Sequence, residues 1–212
     1  MRRLPVYLLL DTSGSMAGEP IEAVKNGVQT LVAALRSDPY ALETAYLSVI
    51  TFDSTAKQIV PLTELPLFQM PDIQAQGTTA LGDALELAAS RAGQEVARTT
   101  AEVKGDWKPL VFLMTDGEPT DDWQRGLAAF KAQKFGTVIA CAAGQSANTA
   151  ALKQITDSVV QLDTADSATI KSFFKWVSAS ISSGSQRVET AGSDLHGLSD
   201  LPPPPPEVTI VM

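Results

Sequence analysis

Leu4-Pro5-Val6-Tyr7-Leu8-Leu9-Leu10-Asp11-Thr12-Ser13-Gly14-Ser15 decides the architecture of this chain. Leu4–Leu10 is apolar almost throughout, which reads as a strand buried on both faces. It ends abruptly in a carboxylate, followed by hydroxyls on alternate residues. Ile21, Val24, Val28, Leu31 and Leu35 then recur at helical spacing. A helix is therefore expected from about Pro20 to Arg36, with the proline tolerated in its first turn. A strand that delivers Asp11, Ser13 and Ser15 to the start of a helix gathers small oxygen donors at one point, as a hard cation requires.

The same alternation continues outward. Ala45–Phe52 is rich in β-branched and aromatic residues and reads as a second strand. Gln58–Leu62 reads as a short antiparallel edge strand, because Pro61 cannot donate to a ladder. Leu65–Thr78 is a loop, and Leu81, Leu85, Ala88, Ala92 and Val96 mark the next helix. Pro109–Thr115 and Gly136–Ala143 are buried strands. Between them Trp123, Leu127 and Phe130 share one helical face, which places Trp123 in the core. A short helix around Leu152 and Ile155, a strand Val159–Leu162 and a helix through Ile170, Phe174, Val177 and Ile181 follow. Apolar strands alternating with helices predict a doubly wound α/β fold. Its central sheet is mostly parallel, has helices on both faces and carries one antiparallel edge strand. Ligands of such folds bind outside the carboxyl ends of the strands. Both the Asp11 loop and Thr115-Asp116-Gly117 lie at such ends.

The expected domain spans residues 1–183. Ser182-Ser183-Gly184-Ser185 reads as a linker, and residues 184–212 as a Pro-rich tail. Pro202–Pro206 favours an extended polyproline II helix, and Val208–Val211 has strand propensity. The tail is expected to be disordered, or to lie along its own domain or a neighbour.

Composition narrows the function. The chain has 212 residues and a formal net charge of -8, with no cluster of Lys and Arg. Nucleic acid and anionic lipid, which need a positive footprint, are disfavoured as partners. The one cysteine, Cys141, sits in an apolar run, so an internal disulfide is excluded and a buried thiol expected. Met1-Arg2-Arg3 and the apolar run resemble a signal peptide, but the run stops at Asp11 and no cleavage site follows. No segment has the length of a membrane span, and a cytoplasmic protein is expected. The single histidine, His196, lies in the tail, which removes histidine acid–base catalysis from the core. Neither a phosphate-binding Gly-x-x-x-x-Gly-Lys loop nor a Gly-x-Ser-x-Gly elbow is present.

Three loops offer metal ligands: Asp11, Ser13 and Ser15 from the first, Thr78 or Thr79 from Gly77-Thr78-Thr79, and Asp116 from the third. All are hard oxygen donors, suited to Mg²⁺, Mn²⁺ or Ca²⁺. Hydroxyls carry no charge, so two aspartates only just balance a divalent ion. Such an ion keeps an attraction for one more carboxylate.

Asp-x-Ser-x-Ser after the first strand, Gly-Thr-Thr before a middle helix and Thr-Asp-Gly after a later strand together resemble a von Willebrand factor A domain with a metal-ion-dependent adhesion site (MIDAS). The resemblance covers roughly Leu4–Ile181. It implies Asp11, Ser13, Ser15, Thr79 and Asp116 as ligands, with Thr78 the alternative to Thr79. It also implies a divalent cation, Mg²⁺ first, and a non-catalytic adaptor whose protein partner supplies an Asp or Glu to the metal. Thr115-Asp116-Gly117-Glu118-Pro119-Thr120-Asp121-Asp122-Trp123 is further similar to bacterial TerY-like proteins of tellurite resistance and chemical stress. That similarity implies a kinase and a phosphatase as associates.

The competing reading is a Mg²⁺-dependent phosphohydrolase with Asp11 as nucleophile. Haloacid-dehalogenase-like phosphatases need a second Asp two positions later as acid/base, where this chain has Ser13. Asp53 is read as a turn residue. Asp121 and Asp122 are read as serving the first turn of a helix capped by Thr120.

Overall fold

Every residue of strand β1 (Leu4–Asp11) is buried, because the strand lies inside the sheet, between two parallel neighbours. A computed structural model describes residues 2–212. After β1 come α1 (Glu19–Arg36), α2 (Pro39–Thr44), β2 (Ala45–Phe52), β3 (Ala56–Glu64) and α3 (Leu81–Glu95). Then follow β4 (Leu110–Thr115), α4 (Trp123–Ala132), β5 (Thr137–Ala143), α5 (Thr149–Ile155), β6 (Val159–Leu162), α6 (Ser167–Thr190) and β7 (Val208–Ile210). The seven strands form one sheet in the order β3-β2-β1-β4-β5-β6-β7. β1, β2, β4, β5 and β6 are parallel, and β3 is the expected antiparallel edge. At the other edge β7 adds a short antiparallel strand.

Alternate side chains of β1 serve opposite layers. Val6, Leu8 and Leu10 pack with α1 and α6, whereas Tyr7 and Leu9 pack with α3, α4 and α5. Both sets are apolar, so the strand shows no polar alternation. Glycines set the closest helix contacts. A Cβ on Gly126 of α4 would lie 2.0 Å from the Gly82 carbonyl oxygen of α3, and one on Gly27 of α1 would lie 2.2 Å from Phe174 of α6.

Two features differ from expectation. Asp38-Pro39 ends α1 and also starts α2. The Asp38 carboxylate accepts from the amides of Tyr40 (2.9 Å) and Ala41 (3.1 Å), with Pro39 in the first turn. The same residues that break one helix nucleate the next.

The boundary expected at 183/184 falls inside α6, which continues to Thr190. Ser182-Ser183-Gly184-Ser185 is helical, and its small side chains fit where α6 packs closely. Gly184 and Ser185 are buried, and a Cβ on Gly184 would stand 3.2 Å from Leu195 and 3.6 Å from Leu4. The chain then folds back along its own domain. Leu195, Leu201 and Val208 are buried, Trp176 Nε1 donates to the Pro202 carbonyl (2.8 Å), and Arg187 pairs with Asp200 (2.6 Å). His196 is exposed, Cys141 is fully buried, and Trp123 is half-buried against the α3/α4 layer. Among the described residues no helix is long and apolar enough to cross a membrane.

Two glycine substitutions should behave oppositely in urea unfolding. Gly126→Ala drives a methyl into the α3 backbone and is expected to destabilise by about 1–3 kcal/mol. Gly93→Ala in α3, where a Cβ meets nothing within 4 Å, is expected to stabilise by about 0.5–1 kcal/mol.

Candidate metal centre

Asp11 ends β1 and Thr115 ends β4. The parallel register that pairs Leu10 with Met114 sets these two residues side by side. Thr115 Oγ1 donates to Asp11 Oδ2 (2.5 Å), and the Ser13 amide donates to Asp11 Oδ1 (2.8 Å). The carboxylate is thus fixed from both sides in a position only 1% exposed. A single 3-10 turn, Gly14–Met16, carries the chain over the sheet edge and returns Ser15 to it. Ser13 Oγ and Ser15 Oγ lie 3.0 Å apart, and Ser15 Oγ donates to Asp116 Oδ1 (2.7 Å). Asp11, Ser13, Ser15 and Asp116 are therefore linked in turn, by the Ser13 amide at Asp11 and by hydroxyl contacts from Ser13 through Ser15 to Asp116.

The second loop is pinned to the first by backbone. Gly14 donates to the Gly77 carbonyl (3.1 Å), and Gln76 donates to that of Thr12 (2.8 Å). It is pinned to the third by a reciprocal pair. The Thr79 amide donates to Thr120 Oγ1 (2.9 Å), and the Thr120 amide donates to the Thr79 carbonyl (2.9 Å). Thr79 is 6% exposed. Its hydroxyl enters no hydrogen bond among the described residues, and a Cβ on Gly117 would lie 3.6 Å from it. Thr78 Oγ1 turns away to Ser54 Oγ (3.3 Å) on the β2–β3 turn. The fold thus brings Thr79, rather than Thr78, beside the Asp116 loop.

Two neighbours play other roles than expected. Thr120 does not cap α4; it holds Thr79. Asp121 does not serve α4 either. Its carboxylate accepts from the amides of Gly82 (3.1 Å) and Asp83 (3.0 Å), capping α3 across the inter-helix contact. Its position two residues before α4 gave no sign of this cross-helix role. Thr115 was also missed as a site residue, although a hydroxyl ending the strand beside Asp11 was a readable signal. Asp53 makes the expected turn: its carboxylate accepts from the Thr55 amide (3.2 Å), while its carbonyl accepts from Ala80 (2.7 Å).

Burial pushes the Asp11 carboxyl above its ordinary value. The hydrogen bonds from Ser13 and Thr115 oppose this, and the nearby Asp116 charge adds to it. A buried carboxylate beside a second one is costly to ionise alone and is relieved by a cation. Among the described residues there is no group of three or more His, Cys, Asp or Glu side chains that could hold an ion. The donor set here is instead two carboxylates and neutral hydroxyls, which fits a hard divalent ion.

The raised Asp11 value fixes a pH dependence for the metal-free chain. The folded state holds this proton more tightly than the unfolded state. The Asp11 contribution therefore declines as pH rises from the ordinary carboxyl range through the raised folded value. Urea midpoints in EDTA should show Asp11→Asn stabilising the chain at pH 7, with the advantage shrinking on acidification. An Asp11→Asn variant less stable at pH 7 would contradict this account.

A family model for the von Willebrand factor type A domain matches residues 6–176. An uncharacterized protein of Synechocystis sp. is 35% identical over 124 residues, which cover 55% of this chain. That match covers 26% of the Synechocystis protein, so the chain spans about a quarter of this curated relative. Among solved structures, proximal thread matrix protein 1 from the mussel byssus superposes with a TM-score of 0.66 at 22% identity, covering 84% of this chain and 48% of that one. The mussel protein is also known with zinc in its MIDAS motif, at a TM-score of 0.64 and the same identity and coverage. A von Willebrand factor type A protein from Catenulispora acidiphila gives a TM-score of 0.62 at 19% identity, covering 86% and 43% of the two chains. These likenesses to solved structures share the fold, and the family match spans most of the sheet and its helices. The chain belongs to the von Willebrand factor type A domain family.

Proposed function

We propose that this chain is a non-catalytic, divalent-cation-dependent protein-binding module. Asp11, Ser13, Ser15, Thr79 and Asp116 hold the ion, Mg²⁺ in the cell, and an Asp or Glu of a partner protein completes its coordination. The observation that carries this reading is the linkage of Asp11 to Ser13 through the Ser13 amide and of Ser13 through Ser15 to Asp116 by hydroxyl contacts, with the unengaged Thr79 hydroxyl against Gly117 of the Asp116 loop. When bound, the ion supplies a positive centre for a carboxylate. The chain's own groups fix where that centre sits. Ser13 occupies the position where a phosphohydrolase would need its acid/base, and its hydroxyl is engaged with Ser15 instead. That favours binding over turnover.

The finer placement, a cytoplasmic adaptor of a tellurite or chemical-stress circuit working with a kinase and a phosphatase, draws on the residues from Thr115 to Trp123. In this structure Thr120 and Asp121 of that stretch brace the second loop and α3.

Isothermal titration with Mg²⁺, and with Mn²⁺ and Zn²⁺ for comparison, should give one site per chain. Asp116→Ala should weaken it more than about 100-fold, beyond the 10–100-fold typical of losing a supporting contact. Thr79→Ala should weaken it measurably and Thr78→Ala should not. Capture of cell proteins on the immobilised chain should lose its specific partners in EDTA and with Asp116→Ala. Partners retained under both conditions would overturn the reading.

A further inference from the structure

The segments that emerge at the metal edge of the sheet contain no lysine or arginine. They are residues 12–18, 53–55, 76–80, 116–122, 144–148 and 163–166. Beyond the two aspartates of the centre they carry Asp53, Glu118, Asp121, Asp122, Asp163 and Asp166. Among the described residues none of these is in a salt bridge. Two are held by helix amides: Asp121 by α3, and Asp166 by Ala168 and Thr169 of α6. Glu118 accepts from Asn148 Nδ2 (2.9 Å). Asp122 and Asp163 are exposed and enter no side-chain hydrogen bond. The cations nearest this edge are Lys57, exposed at the start of β3, and Arg125 in the first turn of α4, which pairs with Glu86; Arg98 and Lys134 lie at the opposite edge, before β4 and β5.

This distribution bears on what the metal can accept. A divalent ion with Asp11 and Asp116 makes a neutral centre, so its pull on a carboxylate is short-ranged. The surrounding charges repel that carboxylate over about 8 Å, the screening length at physiological salt. We propose that the metal edge selects a partner segment whose acidic anchor is flanked by Lys or Arg. A carboxylate within an acidic stretch is rejected. The anchor satisfies the ion, and the flanking cations satisfy the rim. Charge complementarity of this kind sets partner choice and association rate more than raw affinity. Each opposed rim charge changes affinity by up to about fivefold. The proposal rests on the metal-dependent binding reading above. Thr79, 6% exposed and with a hydroxyl that enters no hydrogen bond among the described residues, stands against Gly117 of the Asp116 loop and is the further sign that this edge takes a ligand.

The test uses the full chain, saturating Mg²⁺ and synthetic peptides of equal length, read by fluorescence anisotropy. Each has one central glutamate, flanked on both sides by lysines in one peptide and by glutamates in another. A third keeps the lysines around a central glutamine. The glutamate-flanked peptide offers more carboxylates to the metal, so simple metal affinity would favour it. The expected result is the reverse: the lysine-flanked peptide binds at least about tenfold tighter at low salt. Its lead should narrow in 0.5 M NaCl and fall at least about threefold in Asp122→Lys/Asp163→Lys, which touches no proposed ligand. The glutamine control should bind at least about tenfold more weakly than its glutamate counterpart.

Equal affinities, a preference for the glutamate-flanked peptide, or no peptide binding despite a measured Mg²⁺ isotherm would overturn the proposal and leave the metal site standing. A glutamine control as tight as the glutamate peptide would also overturn it. Absence of any Mg²⁺ isotherm would remove both readings together.

Discussion

A carboxylate buried at the junction of two central strands constrains the rest of this molecule. Asp11 is held by Thr115 from β4 and by the Ser13 amide from its own turn. Those contacts require β1 and β4 to be parallel neighbours in one register, and that register places the Asp116 loop beside the Ser13–Ser15 turn. Burial opposes the charge on Asp11, so the site carries a local cost that a bound cation would offset. The core and the site are therefore parts of one arrangement. The apolar strands that bury the sheet also bring the oxygens to its edge.

The sheet was legible because β1, β2, β4, β5 and β6 are apolar on both faces, and only a sheet covered by helices on both sides accommodates that. Pro61 marked the antiparallel edge through its missing donor. That Asp11, Ser13, Ser15 and Asp116 would meet at one edge was legible because they follow strand ends of one polarity. Less readable were roles decided by residues distant in sequence. Asp121 caps a helix that begins about forty positions earlier in the chain. The choice between Thr78 and Thr79 turns on contacts to Ser54 and Thr120, which no local pattern encodes. The serine and glycine residues around 184 have the composition of a linker, yet their small size is what lets α6 approach Leu4 and Leu195.

The tail shows the same logic from the other side. Pro202–Pro206 cannot join a ladder, so it lies along the middle of α6, beside Ser172 and Ala179 and held by Trp176 Nε1 at Pro202. Beyond it Val208–Ile210 pairs antiparallel with β6. The short β6 edge is therefore covered by the chain's own last strand, which removes a row of unpaired backbone groups.

The loops at the metal edge are not equally coupled. The second and third are locked together by the Thr79–Thr120 pair, by the Asp121 cap on α3, and by the Gly126–Gly82 contact between the helices behind them. The first is tied to the second through backbone at Gly14 and Thr12. Between first and third, the direct side-chain links are Thr115 to Asp11, at the strand ends, and Ser15 to Asp116, at the rim. The former is buried and the latter is a single exposed hydroxyl. Ser15 and Asp116 would be among the residues that hold a divalent ion, and they are also where the protein alone ties the first loop to the third most lightly, through one hydroxyl hydrogen bond.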